Sequence, residues 1–247
     1  MRAVALALLV LLASPAGARN AQVTAPAAAE PEASLALELA KLVSPSDALL
    51  DQQIATARAG FFGALHADPE FQAIEKEFPG IGQAVWDVLE PEARRVSREA
   101  TPSLWEKLIP IYLRHLTAGE VRALIAFYAS PTGQRAIRTM YGSLDTTAMF
   151  KDAIDSPDGK ISAESLAAGQ QAAKAKAVSA MGPEDEAALM ALGRAMPIAK
   201  LHAVGREVQK ATLEFLNEPD PENDARMEAL VVKTMEQYMK EGSKRRR

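Results

Sequence analysis

The chain has 247 residues, of which 48% are hydrophobic and 24% charged, so it is long and apolar enough to bury a sizeable core. Its net charge of −4 argues against a general binder of nucleic acids, because neutralising phosphates requires lysine and arginine in clear excess. It contains no cysteine, which excludes disulfides, thiolate zinc sites, cysteine nucleophiles and a lipid-anchored N-terminal cysteine.

The N-terminus has the pattern of a secretory signal peptide. Arg2 supplies a positive charge, an unbroken apolar run covers residues 3–13, and the Ala-Gly-Ala at 16–18 fits a signal-peptidase cleavage site. The apolar run has about half of the roughly 20 residues that a membrane-spanning helix needs, so an uncleaved anchor is the less favoured alternative. We predict a signal peptide over residues 1–18, cleavage near Ala18, and a mature chain that is periplasmic or secreted and has no transmembrane segment.

The rest of the chain has helical patterning throughout. Residues 19–33 are rich in alanine and contain two prolines, which indicates a flexible leader. Over residues 34–241, segments with apolar residues at helical spacing alternate with short turns that contain proline or glycine, and no strand-like alternation occurs. We predict an all-α fold, a multi-helix bundle of amphipathic helices in a single domain over 34–241, followed by a basic disordered tail over 242–247.

Three prolines punctuate the chain between residues 81 and 115. Pro91, Pro102 and Pro110 each lack the backbone N–H that an inner helical position donates. We therefore predict that each of them starts or kinks a helix.

The clearest helical signals lie in residues 116–141. Thr117 and Glu120 have the spacing of a capping box, in which the hydroxyl accepts from a first-turn N–H and the carboxylate accepts from the N-cap N–H. Ser130 followed by Pro131 is typical of an N-cap and a first helical position. Two helices joined by so short a connection must meet at a sharp corner.

The same segment combines an acidic cap, a Phe-Tyr pair and a Ser-Pro-x-Gly-Gln run: Glu120, Phe127, Tyr128, Ser130, Pro131, Gly133 and Gln134. Through these residues it resembles the domain of unknown function 2059 family, whose members are typically bacterial, exported and helical. The resemblance is strongest over residues 105–150. It implies a helical fold and an exported protein, and it implies no catalytic residue because the family has no assigned activity.

The physical explanation of this signature is helix packing. The rings of Phe127 and Tyr128 can wedge the corner between the two helices, and Gly133 allows these helices to approach closely. The alternative explanation is a ligand groove built around Tyr128, Gln134 and Arg135. These three are the only binding residues that we predict.

Residues 181–201 repeat the plan of residues 116–136. A gap-free alignment of the two segments matches alanine or leucine at three positions and places Glu120 on Asp185. Each segment has an acidic cap, an apolar helix, a proline and the start of a second helix. This shared plan suggests an internal duplication, with the second copy over residues 181–216.

The histidines do not indicate a catalytic or metal site. His66, His115 and His202 are far apart in the sequence, and none belongs to a metal-binding or catalytic motif. Structural or solvated roles are the favoured interpretation of all three. We predict no catalytic residue, no metal and no cofactor.

One segment resembles half of a calcium-binding loop. With Gly159 as the central glycine, the first and twelfth ligand positions fall on Ile154 and Ser165, where a calcium loop needs carboxylates. We therefore interpret the segment as a capped turn that precedes a helix beginning at Ser162.

These observations favour a noncatalytic helical module that binds a partner protein or another component of the cell envelope, and not nucleic acid. Three alternatives stay open: a hydrolase that combines His115 or His202 with a buried acid, a carrier of a small apolar ligand between helices, and a membrane-surface protein that uses the basic residues 244–247. The sequence does not indicate the ligand or the oligomeric state.

Overall fold

The computed structural model describes residues 30–44, 47–156 and 159–245. Within these ranges the chain forms eleven α-helices and one short 3-10 helix, Pro183–Asp185, and no residue there belongs to a strand. The prediction of an all-α multi-helix fold is confirmed. In chain order the helices are α1 (Glu30–Val43), α2 (Asp47–Ala67), α3 (Pro69–Glu77), α4 (Ile81–His115), α5 (Ala118–Ala129), α6 (Pro131–Gly142), α7 (Thr147–Asp155), α8 (Ala163–Ser179), α9 (Glu186–Ala195), α10 (Ile198–Leu216) and α11 (Pro221–Arg245).

The longest helix, α4, is the element around which the others are arranged. It has 35 residues and contains Pro91, Pro102 and Pro110, none of which starts a helix. An inner proline costs roughly 3 kcal/mol in an unsupported helix. Here α1, α2, α10 and α11 all pack against α4, and burial of its apolar side chains offsets that cost. Of the two predicted alternatives, the start of a new helix is therefore wrong for all three prolines, and a kink of α4 at each stays a prediction.

The larger of two hydrophobic cores joins α2, α3, α7, α8 and α11 to the first part of α4. Aromatic rings occupy its centre. The ring centroid of Phe61 lies 5.5 Å from that of Trp86 and 6.1 Å from that of Phe150, and all three side chains are fully buried. Such rings contribute strongly to core stability because each removes a large apolar area from water.

A second core joins α1, the end of α4, α5 and α10. The buried face of α1 carries Ala36, Leu39 and Ala40, which lie in the same cluster as Val121 and Leu124 of α5. The small alanine side chains allow α1 to approach its neighbours closely. This core fixes α5 and supports the helical hairpin that follows α4.

The helices extend further than expected at both ends of the domain. α1 begins at Glu30, within the leader expected over 19–33, and α11 continues to Arg245, so residues 242–245 are helical where a disordered tail was expected. Apolar side chains of α11 belong to the larger core, which anchors that helix on α4. The signal peptide expected over residues 1–18 lies outside the described residues. None of the described helices is long and apolar enough to cross a membrane.

Candidate interaction surface

α5 and α6 are successive helices with a one-residue joint, a pair that we call the first hairpin, and the joint residue caps both helices. Ser130 ends α5, where its N–H donates to the carbonyl of Phe127 at 3.0 Å, and begins α6, where its Oγ accepts from the N–H of Gly133 at 3.2 Å. Pro131 follows as the first helical residue of α6. The predicted N-cap at Ser130 is therefore confirmed.

Gly133 brings the backbones of the two helices into direct contact. A Cβ atom at this position would lie 2.1 Å from the carbonyl oxygen of Phe127 and 2.6 Å from the Cα of Tyr128. Both neighbours are backbone atoms, which cannot move aside as a flexible side chain can. The close packing predicted for Gly133 is confirmed.

The three predicted binding residues all have contacts within the hairpin region. Tyr128 is half-buried against the second core, and burial raises the pKa of its hydroxyl. The Nε2 of Gln134 donates to the carbonyl of Tyr128 at 2.7 Å, which satisfies an acceptor left free at the end of α5. Arg135 donates to Asp185. The structure thus explains these side chains through packing, and ligand binding by them stays a prediction.

Glu120 connects the first hairpin to α10. Its Oε2 accepts from the N–H of Thr117 at 2.7 Å, and the N–H of Glu120 donates to the Thr117 hydroxyl at 3.3 Å, as predicted for a capping box. The Nζ of Lys200 lies 2.7 and 2.6 Å from the two carboxylate oxygens. The hydrogen bond from Lys200 and that from the Thr117 backbone hold the pKa of Glu120 below its usual range.

Asp185 connects α6 to a second pair of successive helices with a short joint, α9 and α10, which we call the second hairpin. Its side chain is 1% exposed and accepts from the hydroxyl of Thr132 at 2.6 Å, from the N–H of Gly182 at 3.0 Å and from Arg135. The hydrogen bond from Thr132 is the main reason that the pKa of Asp185 lies below its usual range. Three groups of the protein itself thus donate to this buried carboxylate, which is therefore an internal anchor.

These two anchors are reciprocal. The alignment that places Glu120 on Asp185 also places Arg135 on Lys200. Each acid begins the first helix of its own hairpin and binds the cation on the second helix of the other hairpin. α5 and α9 also pack against each other. Reciprocal contacts of this kind are typical of two copies related by a local two-fold axis, and they add support to the proposed duplication.

α9 differs from its counterpart α5 because no residue of α9 is buried. Leu124 of α5 is 5% exposed, whereas Leu189 at the equivalent position of α9 is 39% exposed. The difference arises because α1 packs on α5, whereas α9 packs mainly on α5 itself. On the side away from α5, five exposed residues fall at helical spacing, and we call them the α9 face: Glu186, Ala187, Met190, Gly193 and Arg194.

Two comparisons with known proteins give no match, and one does. No curated protein and no solved structure matches the chain. A family model described as an uncharacterized protein conserved in bacteria matches part of it. Residues 103–150 match the domain of unknown function 2059 family. This family segment covers the end of α4, all of α5 and α6, and the start of α7, so the resemblance is confirmed over the first hairpin and carries no activity with it.

The histidines lie at or near the surface. The Nε2 of His115 is 2.7 Å from Glu207, whose side chain is 38% exposed and also pairs with Arg114. His202 is exposed on α10, and His66 lies in the last turn of α2. Among the described residues, neither His115 nor His202, the two histidines considered for a hydrolase, contacts a buried carboxylate. Among the described residues, no three side chains come together in a way that could hold a metal ion.

The turn that resembles half of a calcium loop is capped by the chain itself. The carboxylate of Asp152 accepts from the N–H of Ser162 at 2.9 Å and from its hydroxyl at 2.6 Å. The Ser162 hydroxyl in turn accepts from the N–H of Ser165, so Ser162 is the N-cap of α8. The predicted capped turn is confirmed at this end, while residues 157–158 lie outside the described ranges.

An open groove of about 400 Å³ lies between α8 and α10. Its lining includes the apolar Leu166 and Leu213 and the basic Arg206 and Lys210. The volume is on the order of that of a small-molecule site, but such sites usually enclose most of their ligand. Because this groove is open to solvent, it gives only partial support to the alternative that the protein carries a small apolar ligand between helices.

Proposed function

We propose that this protein is an exported, noncatalytic helical module of the bacterial envelope that binds a partner protein through the α9 face. The observation that carries the proposal is the exposure of Met190, which is 51% exposed on a helix with no buried residue. Contiguous exposed apolar side chains mark interaction sites, and on α9 Met190 follows Leu189, which is 39% exposed, and the exposed Ala187. The bacterial family match and the signal-like pattern of residues 1–18 support the location.

The framework beneath the α9 face is rigid enough to present it. Asp185 lies directly before α9 and is held by Thr132 and Arg135 of α6. Lys200, shortly after α9, is held by Glu120 of α5. The residue directly before α9 and the first turn of α10 are therefore held on the family segment by charged hydrogen bonds, which leaves the outer face of α9 free for contact without a large ordering cost.

A photo-cross-linking amino acid at position 190 of the full chain tests the proposal. Position 113 is the matched control, because Leu113 is an exposed apolar residue of similar exposure (41%) on a different helix, α4. We expect a discrete protein adduct in envelope extracts from position 190 and none from position 113. The captured protein, once identified and purified, should bind the wild-type chain at least about tenfold more tightly than Met190→Asp, a loss of about 1.4 kcal/mol. Equal adducts from both positions, or unchanged affinity of Met190→Asp, would refute the proposal.

A further inference from the structure

The α9 face has residues of similar size, and charges of opposite sign, at equal distances before and after Met190. Ala187 and Gly193 lie three positions before and after Met190, and both are small. Glu186 and Arg194 lie four positions before and after it, and their charges are opposite. All five residues are exposed, and a Cβ atom at Gly193 would meet no atom within 4 Å.

This arrangement makes the face complementary to itself. When two identical helices pair in an antiparallel manner about a two-fold axis, a residue that precedes the axis meets the residue that follows it by the same distance. With the axis at Met190, Glu186 of one copy meets Arg194 of the other, and this ion pair forms twice. Ala187 meets Gly193 in the same way, so the backbones can approach closely on both sides of the central methionines.

Within the part of the chain that the structure describes, neither charged residue of the face has a partner that would compete. Among the described residues, no ion pair or side-chain hydrogen bond is made by Glu186 or Arg194, and the two are too far apart on α9 to pair with each other. Further exposed apolar side chains flank the helix in the sequence: Val178 before it, 67% exposed, and Ile198 after it, 65% exposed.

We propose that the α9 face pairs with the α9 face of a second copy of this chain, antiparallel and centred on Met190. This inference rests on the proposed function and names the partner of the same surface. One exposed helix face is small beside a standard interface of about 1,600 Å², so the dimer is weak and forms in a concentration-dependent manner.

The absence of cysteine from the chain allows a direct test of the axis. Met190→Cys places a thiol on the proposed axis, where two copies can form a disulfide. Leu113→Cys is the matched control because it places a thiol at a similarly exposed position elsewhere. Under mild oxidation we expect a covalent dimer from Met190→Cys at a rate at least about tenfold above that of Leu113→Cys, and comparable rates would overturn the proposal.

Charge reversal tests the register. Glu186→Arg and Arg194→Glu each put like charges opposite one another twice, so each should weaken dimerisation by about tenfold in sedimentation experiments. The double variant E186R/R194E restores both pairs and should regain the wild-type dissociation constant. Loss in the singles without recovery in the double, or no loss in the singles, would overturn the proposed pairing. If dimerisation is absent while the cross-link at position 190 captures a different protein, this inference fails and the proposed function stands.

Discussion

The corner between α5 and α6 requires a residue without a side chain at position 133, which Gly133 provides. The space that a Cβ atom would need is occupied by the backbone of Phe127 and Tyr128, so the helices cannot separate slightly without losing the Ser130 caps. Gln134 adds a hydrogen bond across the same corner. The family signature therefore encodes the geometry of a hairpin at the level of single residues.

Gly133→Ala should destabilise the protein by about 2–4 kcal/mol, because the new methyl group overlaps backbone atoms in a well-packed corner. Gly205→Ala is the control: it lies within α10, and its Cβ would meet no atom within 4 Å. Since alanine favours helix over glycine, this control should be neutral or stabilising by up to about 1 kcal/mol. Urea denaturation of both variants measures the difference. Equal stability of the two variants would show that the corner tolerates a side chain.

The two helical hairpins hold each other through one acid and one cation apiece. Glu120 binds Lys200, and Asp185 binds Arg135. In each pair the carboxylate also accepts a hydrogen bond from a backbone N–H near the start of its own helix. Such charged hydrogen bonds at a half-buried interface are stronger than exposed ion pairs. The pairs therefore fix the orientation of α9 relative to the family segment.

Lys200→Met should lower the free energy of unfolding by about 1 kcal/mol at pH 7, because it leaves the carboxylate of Glu120 without its cation. Lys151→Met removes a cation from an exposed pair with Asp155 on α7 and should change the free energy of unfolding less than Lys200→Met does. Urea titrations of the wild type and both variants at a series of pH values measure these differences.

The pH dependence of the Lys200→Met effect has a defined sign. The pKa of Glu120 is lower in the folded protein than its ordinary value of 4.5, so its stabilisation is complete above that value and is lost as the pH falls through the folded pKa. The effect of Lys200→Met should therefore shrink at acid pH. An effect that is constant from pH 7 down to about pH 3 would contradict the role assigned to this pair.

Interactions between near neighbours could be predicted from the sequence, and those between the hairpins could not. The capping box of Thr117 and Glu120 and the cap at Ser130 join residues three positions apart, which a local pattern reveals. Lys200 and Glu120 are 80 positions apart. The alignment of the two hairpins contained a signal, since it places Arg135 on Lys200, but which element packs on which is decided by tertiary structure.

The path of α4 shows a second limit of local reasoning. Pro91, Pro102 and Pro110 each weaken a helix when only neighbouring residues are considered, yet four packed helices keep α4 continuous. The exposure of α9 could not be predicted from the sequence either, because its leucines and alanines are as apolar as those of α5. Burial depends on the arrangement of the other helices and not on the composition of the segment.

At the scale of the whole molecule, two cores share α4, and α9 contributes no buried residue to either. The larger core and the second core account for the stability of the domain, so the sequence of α9 is free to serve contact with another molecule. The small and oppositely charged residues of its face fit a second copy of the chain. The ion pairs made by Asp185, directly before α9, and by Lys200 of α10 hold the helix in place. We therefore expect that a partner binds at the α9 face and leaves both hydrophobic cores unchanged.

Methyl NMR of the methionine side chains tests that claim most directly. Met190 is exposed at the centre of the α9 face, whereas Met149, Met196 and Met227 are buried and serve as internal references. As the chain concentration rises from about 10 μM to about 1 mM, the Met190 resonance should shift while the three references stay constant. A Met190 resonance that does not move while the chain dimerises or binds its cross-linked partner would contradict the account.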